Sequence, residues 1–168
     1  TWNSMLRRCY SNKYHARKPT YKGCTVTPEW HRFSNFKAWH DQQEYKEGLQ
    51  LDKDIIYPGN KVYSPETCVY VTNKLNNFLA RKQGKYLPGA WKNPYNKGTK
   101  VFQSRIKIGD KRTSLGYYHT PEEAHEAYVQ AKIKCIQDYY LPYETDQRII
   151  DGLNRWIEVL RNGMYDLV

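Results

Sequence analysis

The chain has 168 residues, a length that fits one domain or two small ones. Its 39% hydrophobic and 15% aromatic content, with 16 tyrosines, is enough for a packed core and excludes global disorder. The formal charge of +10 points to a polyanion, nucleic acid before an anionic membrane surface, bound in a salt-sensitive way.

No apolar run approaches the roughly 20 residues that span a bilayer. No segment reads as a secretory signal, and an intracellular protein is the expectation. In chain order, Trp2, Met5, Leu6 and Cys9 recur at helical spacing, with Arg7 and Arg8 on another face. Tyr21 to Val26 reads as a turn and a short strand. Thr27 and Pro28 then open a helix with the stripe Trp30, Phe33, Phe36, Ala38 and Trp39, read as core rather than as a base-stacking surface. Residues 51–68 read as a strand closed by Asp52, a Gly59-Asn60 turn, a second strand, and a helix start at Ser64-Pro65-Glu66. The amides Asn76 and Asn77 follow on a short helix.

Arg81-Lys82-Gln83-Gly84-Lys85 is basic and lacks apolar periodicity, so it reads as a linker between a unit at 1–80 and one at 86–140. In the second unit, Leu87 to Trp91 supplies a first strand and Lys100 to Ile108 an alternating second. Gly109-Asp110 turns the chain into a third strand at Lys111 to Tyr118. Thr120, Pro121 and Glu123 carry the signature of a capped helix, with Glu123 closing a capping box. The tail at 141–168 is an amphipathic helix (Ile149, Ile150, Leu153, Trp156, Ile157, Leu160), expected to pack on one of the units or to form a dimer contact.

Cys9, Cys24, Cys68 and Cys135 make no C-x-x-C pair. Free buried thiols are the first reading, with a structural zinc on Cys9, Cys24, Cys68 and a nearby His, or a disulfide, left open. In the finger region, Asp52 offers a hard oxygen suited to Mg²⁺ or Mn²⁺, and Asn76 and Asn77 offer amide oxygens. Phosphodiester hydrolysis needs such a metal to offset charge, and a base to activate water.

Leu51-Asp52-Lys53-Asp54 followed by Tyr63-Ser64-Pro65-Glu66-Thr67-Cys68 resembles the finger of phage HNH (His-Me finger) endonucleases, and the opening Arg8-Cys9-Tyr10 and Tyr21-Lys22-Gly23-Cys24 resemble the same family. The resemblance implies a ββα-metal finger, a divalent metal on Asp52 with Asn76 or Asn77, and a phage protein in the host cytoplasm. It departs from the family at Lys53, where the base histidine stands, and at Thr67, where the finger's asparagine stands. An ordinary Lys, with a pKa of about 10.4, is protonated at neutral pH. Lys53 is therefore a base only if its pKa is strongly lowered, and otherwise a fixed cation on the phosphate. Asn60 either orients the catalytic group or serves only the turn. A distant His31 or His40 is a further candidate base.

Gly89-Ala90-Trp91, Arg105-Ile106-Lys107, Ser114 to Tyr118 and Thr120-Pro121-Glu122-Glu123-Ala124 with Ala127-Tyr128 closely resemble the ethylene-response-factor (APETALA-type) DNA-binding domain. The resemblance implies a three-stranded sheet lying in the major groove of double-stranded DNA, with Trp91, Lys92, Gln103, Arg105, Lys107, Arg112 and Ser114 as contacts. The expected class is thus α+β: an HNH-like finger, then a three-stranded antiparallel sheet on one helix, then a C-terminal helix. Two functions stand open, a metal-dependent DNA endonuclease like the free-standing homing nucleases, and a non-catalytic DNA-binding protein that keeps the finger as scaffold.

Overall fold

The computed structural model describes residues 1–80 and 85–163, so all of the linker read at 81–85 except Lys85, and the end of the tail, lie outside the described residues. The architecture is α+β, with six α-helices and seven short strands among the described residues. None of these helices is long and apolar enough to cross a membrane.

The first helix, α1 (Trp2–Tyr10), follows its apolar stripe and buries Met5 and Cys9. Ser11 ends it and caps α2 (Asn12–Arg17), accepting the Tyr14 N–H at 3.3 Å. Because α2 buries no residue, it has no stripe to read in the sequence. After β1 (Thr25–Val26), the helix expected from Pro28 is only a 3₁₀ turn, Pro28–His31. Thr27 donates to the Glu29 carboxylate and caps no backbone N–H, and Arg32 is extended before α3 (Phe33–Asp41) begins. The break lets Trp30 and Phe36 meet edge-to-face at 5.1 Å in the core, while Phe33 and Ala38 stay exposed.

The finger strands β2 (Gln50–Asp52) and β3 (Val62–Tyr63) do not form a hairpin with each other. Instead β2 pairs antiparallel with β4 (Val69–Val71), and β3 runs parallel to β1. The expected helix start at Ser64 is a turn, in which the Ser64 carbonyl accepts the N–H groups of Thr67 and Cys68. The helix comes later as α4 (Asn73–Leu79), capped by Thr72. The β2–β4 pair divides two cores. Leu51 and Tyr70, opposite one another, belong with Met5, Cys9, Trp30, Phe36 and Tyr63. Val69 and Val71, opposite Asp52 and Gln50, belong to the larger core.

That larger core holds the sheet. Strands β5 (Ala90–Lys92), β6 (Phe102–Ile108) and β7 (Lys111–Tyr118) run antiparallel in the order β5-β6-β7. Helix α5 (Pro121–Cys135) crosses one face and buries Ala124, Val129 and Ile133. Its cap is nearly the one expected. Thr120 accepts the Glu123 N–H, but the Glu123 carboxylate accepts from His119 rather than from Thr120. A π-helical turn at Ile136–Tyr140 ends it.

Helix α6 (Gln147–Arg161) buries Ile149, Leu153, Trp156, Ile157 and Leu160 in the same core as Leu75, Phe78 and Leu79 of α4 and Ile133 of α5. Its Arg148 donates to the carbonyls of Pro65, Glu66 and Cys68, and Arg155 to that of Ile56. The core therefore crosses the joint at 81–85, and the tail helix fastens the finger loop to the second unit.

Candidate nucleic-acid interface

Two surfaces gather the residues singled out in the sequence. The first is the sheet face turned away from α5. Along β6, Arg105 and Lys107 are exposed and flank the buried Ile106, whereas Gln103, of the same parity, is only 7% exposed beneath its neighbours. Their cross-strand neighbours are Trp91 and Tyr117 at Gln103, Ser114 at Arg105, and Arg112 at Lys107. This register depends on a bulge in which Leu115 is the extra residue and Gly116 takes φ +125°. Without the bulge, the alternation of β7 would turn Ser114 and Arg112 to the helix side.

The face is pre-ordered by its own polar contacts. Arg105 donates to the Gln103 side-chain Oε1 through Nε at 2.7 Å and also through Nη2, and Gln103 Nε2 donates to Ser114 Oγ at 2.9 Å. The Arg105 guanidinium lies 4.3 Å from the centre of the Trp91 ring. Lys92 departs from the expected set. It pairs with Phe102, at the opposite parity from Trp91. Tyr117, half-exposed beside Gln103, joins the face and was not singled out in the sequence. The bulge hides its register from simple alternation.

The second surface is a cavity of about 580 Å³ between the opening helices, the finger and α4. It is lined by Asp52, Lys53, Asn76 and Asn77, together with Arg8, Lys18 and Lys61. Sequence reasoning missed the last three. The only signal for Arg8 and Lys18 is the basic character of 7–18, and Lys61 has none, because tertiary packing alone brings them to Asp52. Asp52 Oδ1 accepts the N–H groups of Asp54 and Ile55, both at 2.8 Å. Burial, then the neighbouring Asp54 charge, pushes its carboxyl up to about 7, only partly offset by those N–H groups. On the same strand face, Gln50 accepts from Asn76 Nδ2 at 2.8 Å. Asn76 is half-buried, whereas Asn77 is exposed and donates to Asn73 along its own helix.

Lys53 is 5% exposed and points inward, donating to Asp54 Oδ2 at 3.0 Å and to the Asn60 carbonyl at 2.9 Å. Burial pulls its pKa down, but the Asp54 charge, the nearby Cys24 and the Asp54 hydrogen bond outweigh it, so the net direction is up. That is opposite to what a lysine base requires. The Asn60 side chain is committed to the loop. It donates to the carbonyls of Lys53 and Val62, each at 2.7 Å, and accepts the Val62 N–H at 3.2 Å. It therefore holds Lys53 in place, and Gly59, at φ +83°, takes the left-handed position of the turn. Thr67 donates to the Val62 carbonyl and closes the same loop.

No histidine lines the cavity. His40 Nδ1 lies 2.8 Å from the Tyr70 hydroxyl, on the other side of the β2–β4 pair, and His31 meets Tyr10. Among the described residues no three His, Cys, Asp or Glu side chains group to hold a metal, and all four cysteines are free and buried. Burial pushes the Cys9 and Cys68 thiols up to about 12. A hard divalent cation nonetheless suits the oxygen donors of the cavity, where the half-buried Asp52 carboxylate and the Asn76 amide are both lining groups, and it would return Asp52 to its ionised form. Against protein-family models, curated proteins and solved structures, the chain gives no match.

Proposed function

We propose that the protein is a DNA-binding endonuclease of the HNH type, which grips duplex DNA with the sheet face and presents a phosphodiester to the Asp52 cavity. The observation that carries this reading is the company Asp52 keeps: a carboxylate perturbed to about 7, the Asn76 amide and the cations Arg8, Lys18, Lys53 and Lys61 line one cavity. In this reading Asp52 and Asn76 hold a divalent metal, which would offset charge on the scissile phosphate and on the leaving oxygen. Lys53 acts as a fixed cation toward that phosphate, and Arg8, Lys18 and Lys61 orient the strand. The sheet supplies most of the affinity, Arg105, Lys107 and Arg112 contacting the major groove and its phosphates.

A non-catalytic DNA-binding protein is the second reading. It is favoured by one specific observation, the absence of a histidine base in the cavity, together with a Lys53 that keeps its proton. Incubating the purified chain with supercoiled phage and host DNA, in Mg²⁺ or Mn²⁺ and in chelator, separates the two. Metal-dependent nicking supports the first, and tight binding without nicking in any divalent metal leaves the second.

A further inference from the structure

A second cleft, of about 620 Å³, lies between α4 and the sheet. Its walls carry Asn73, Lys74 and Asn77 from α4, and Arg105, Lys107 and Arg112 from the sheet. Asp110 is the one carboxylate among the lining residues, and it lies 3.6 Å from Lys107. Four cations against one acid make this cleft a site for an anion-bearing chain. Asn77 and Ala80 line both this cleft and the Asp52 cavity, so the two adjoin along α4. In that cavity Arg8, Lys18, Lys53 and Lys61 stand with the two carboxylates Asp52 and Asp54.

We infer that one nucleic-acid strand leaves the sheet face, passes through the cleft beside Lys74 and Asn77, and enters the Asp52 cavity. Helix α4 is then the bridge between reading and reaction, and Lys74 is a phosphate contact that belongs to neither surface. The four cations and the amides of Asn73 and Asn77 suit a phosphodiester backbone, while Phe78, Pro88, Trp91 and Tyr128 give the cleft an apolar lining as well. The inference rests on the sheet face being the DNA-reading surface.

The salt dependence of binding tests it on the full chain. Affinity for a mixed-sequence DNA duplex is measured across a salt series for the wild type and for Lys74→Gln, Lys107→Gln and Lys134→Gln. Lys134 is an exposed α5 cation paired with Asp138, and it lines neither cavity. Each lost phosphate contact lowers the slope of log affinity against log salt by about 0.9. The inferred path predicts that loss for Lys74→Gln and Lys107→Gln, and none for Lys134→Gln. Loss at Lys107 with Lys74 behaving like Lys134 overturns the path and leaves the sheet reading intact. No loss at either overturns the sheet reading, and the path with it. Circular dichroism of each variant checks that the fold is kept.

Discussion

Asp52 and Lys53 sit side by side, and their environments move them in different directions of use. The Asp52 carboxyl binds its proton more tightly in the folded chain than in the unfolded one. Its contribution to stability is therefore fully present below the usual carboxylate range, falls as pH rises to about 7, and stays low above that. Asp52→Asn keeps an oxygen for the Asp54 and Ile55 N–H groups and removes the titration. In chelator it should melt higher than the wild type at alkaline pH, with the gap closing toward pH 4, at about 2–4 °C for each kcal/mol. Equal melting temperatures across the range would refute the raised carboxyl at Asp52. Lys53, held by Asp54 and Asn60, should act through its charge. Lys53→His should then lose roughly 10²-fold or more in nicking rate at alkaline pH, where His is neutral, and less near pH 6. A variant more active than the wild type at neutral pH would instead place a base at this position. Asp52 and Lys53 were singled out in the sequence, and both line the cavity. Arg8, Lys18 and Lys61 were not, because no local pattern records which surface residues the fold will set around a cavity.

At the scale of elements, α5 and the β6–β7 hairpin were legible because their signals are local: Thr120-Pro121-Glu123, a seven-residue alternation, and a Gly-Asp turn. The finger pairing was not, because strands of two and three residues carry almost no pattern, and β2 skips β3 to pair with β4. The bulge at Leu115 was invisible to alternation because an extra residue shifts the parity of β7 midway, although Gly116 marks it in retrospect. Packing of α6 supplies a sharp test. A Cβ on Gly152 would lie 2.5 Å from the Ile55 carbonyl oxygen and 2.9 Å from Ile56 Cα, both backbone atoms that cannot swing aside. Gly152→Ala should therefore destabilise the chain by about 1–3 kcal/mol, although alanine is the better helix former. A raised melting temperature would show that α6 does not sit against the finger loop as described. On the sheet, Arg105→Ala with Lys107→Ala should weaken DNA binding by roughly 1–3 kcal/mol for each base-reading contact and relax sequence preference, as seen in competition binding. Unchanged affinity and preference would remove this face from recognition.

At the scale of the whole molecule, the composition reads as two units, and the core joins them. Leu75, Phe78 and Leu79 before the joint pack in one cluster with Ile106, Val129 and Ile133 beyond it and with Leu153, Trp156 and Ile157 of α6. An excised 86–140 segment loses that cover and should melt well below the full chain by circular dichroism; equal stability would mean that the shared core contributes little. The same joining holds the sheet face and the Asp52 cavity on one framework around α4, the arrangement the proposed endonuclease needs. The most direct test pairs the two activities in one variant. Asp52→Ala and wild type are titrated with the same supercoiled DNA, for binding in chelator and for nicking in Mn²⁺. Wild-type nicking that disappears in Asp52→Ala, with affinity nearly unchanged, is the predicted result. A wild type that binds tightly and never nicks, or an Asp52→Ala variant that nicks as fast as the wild type, would contradict it.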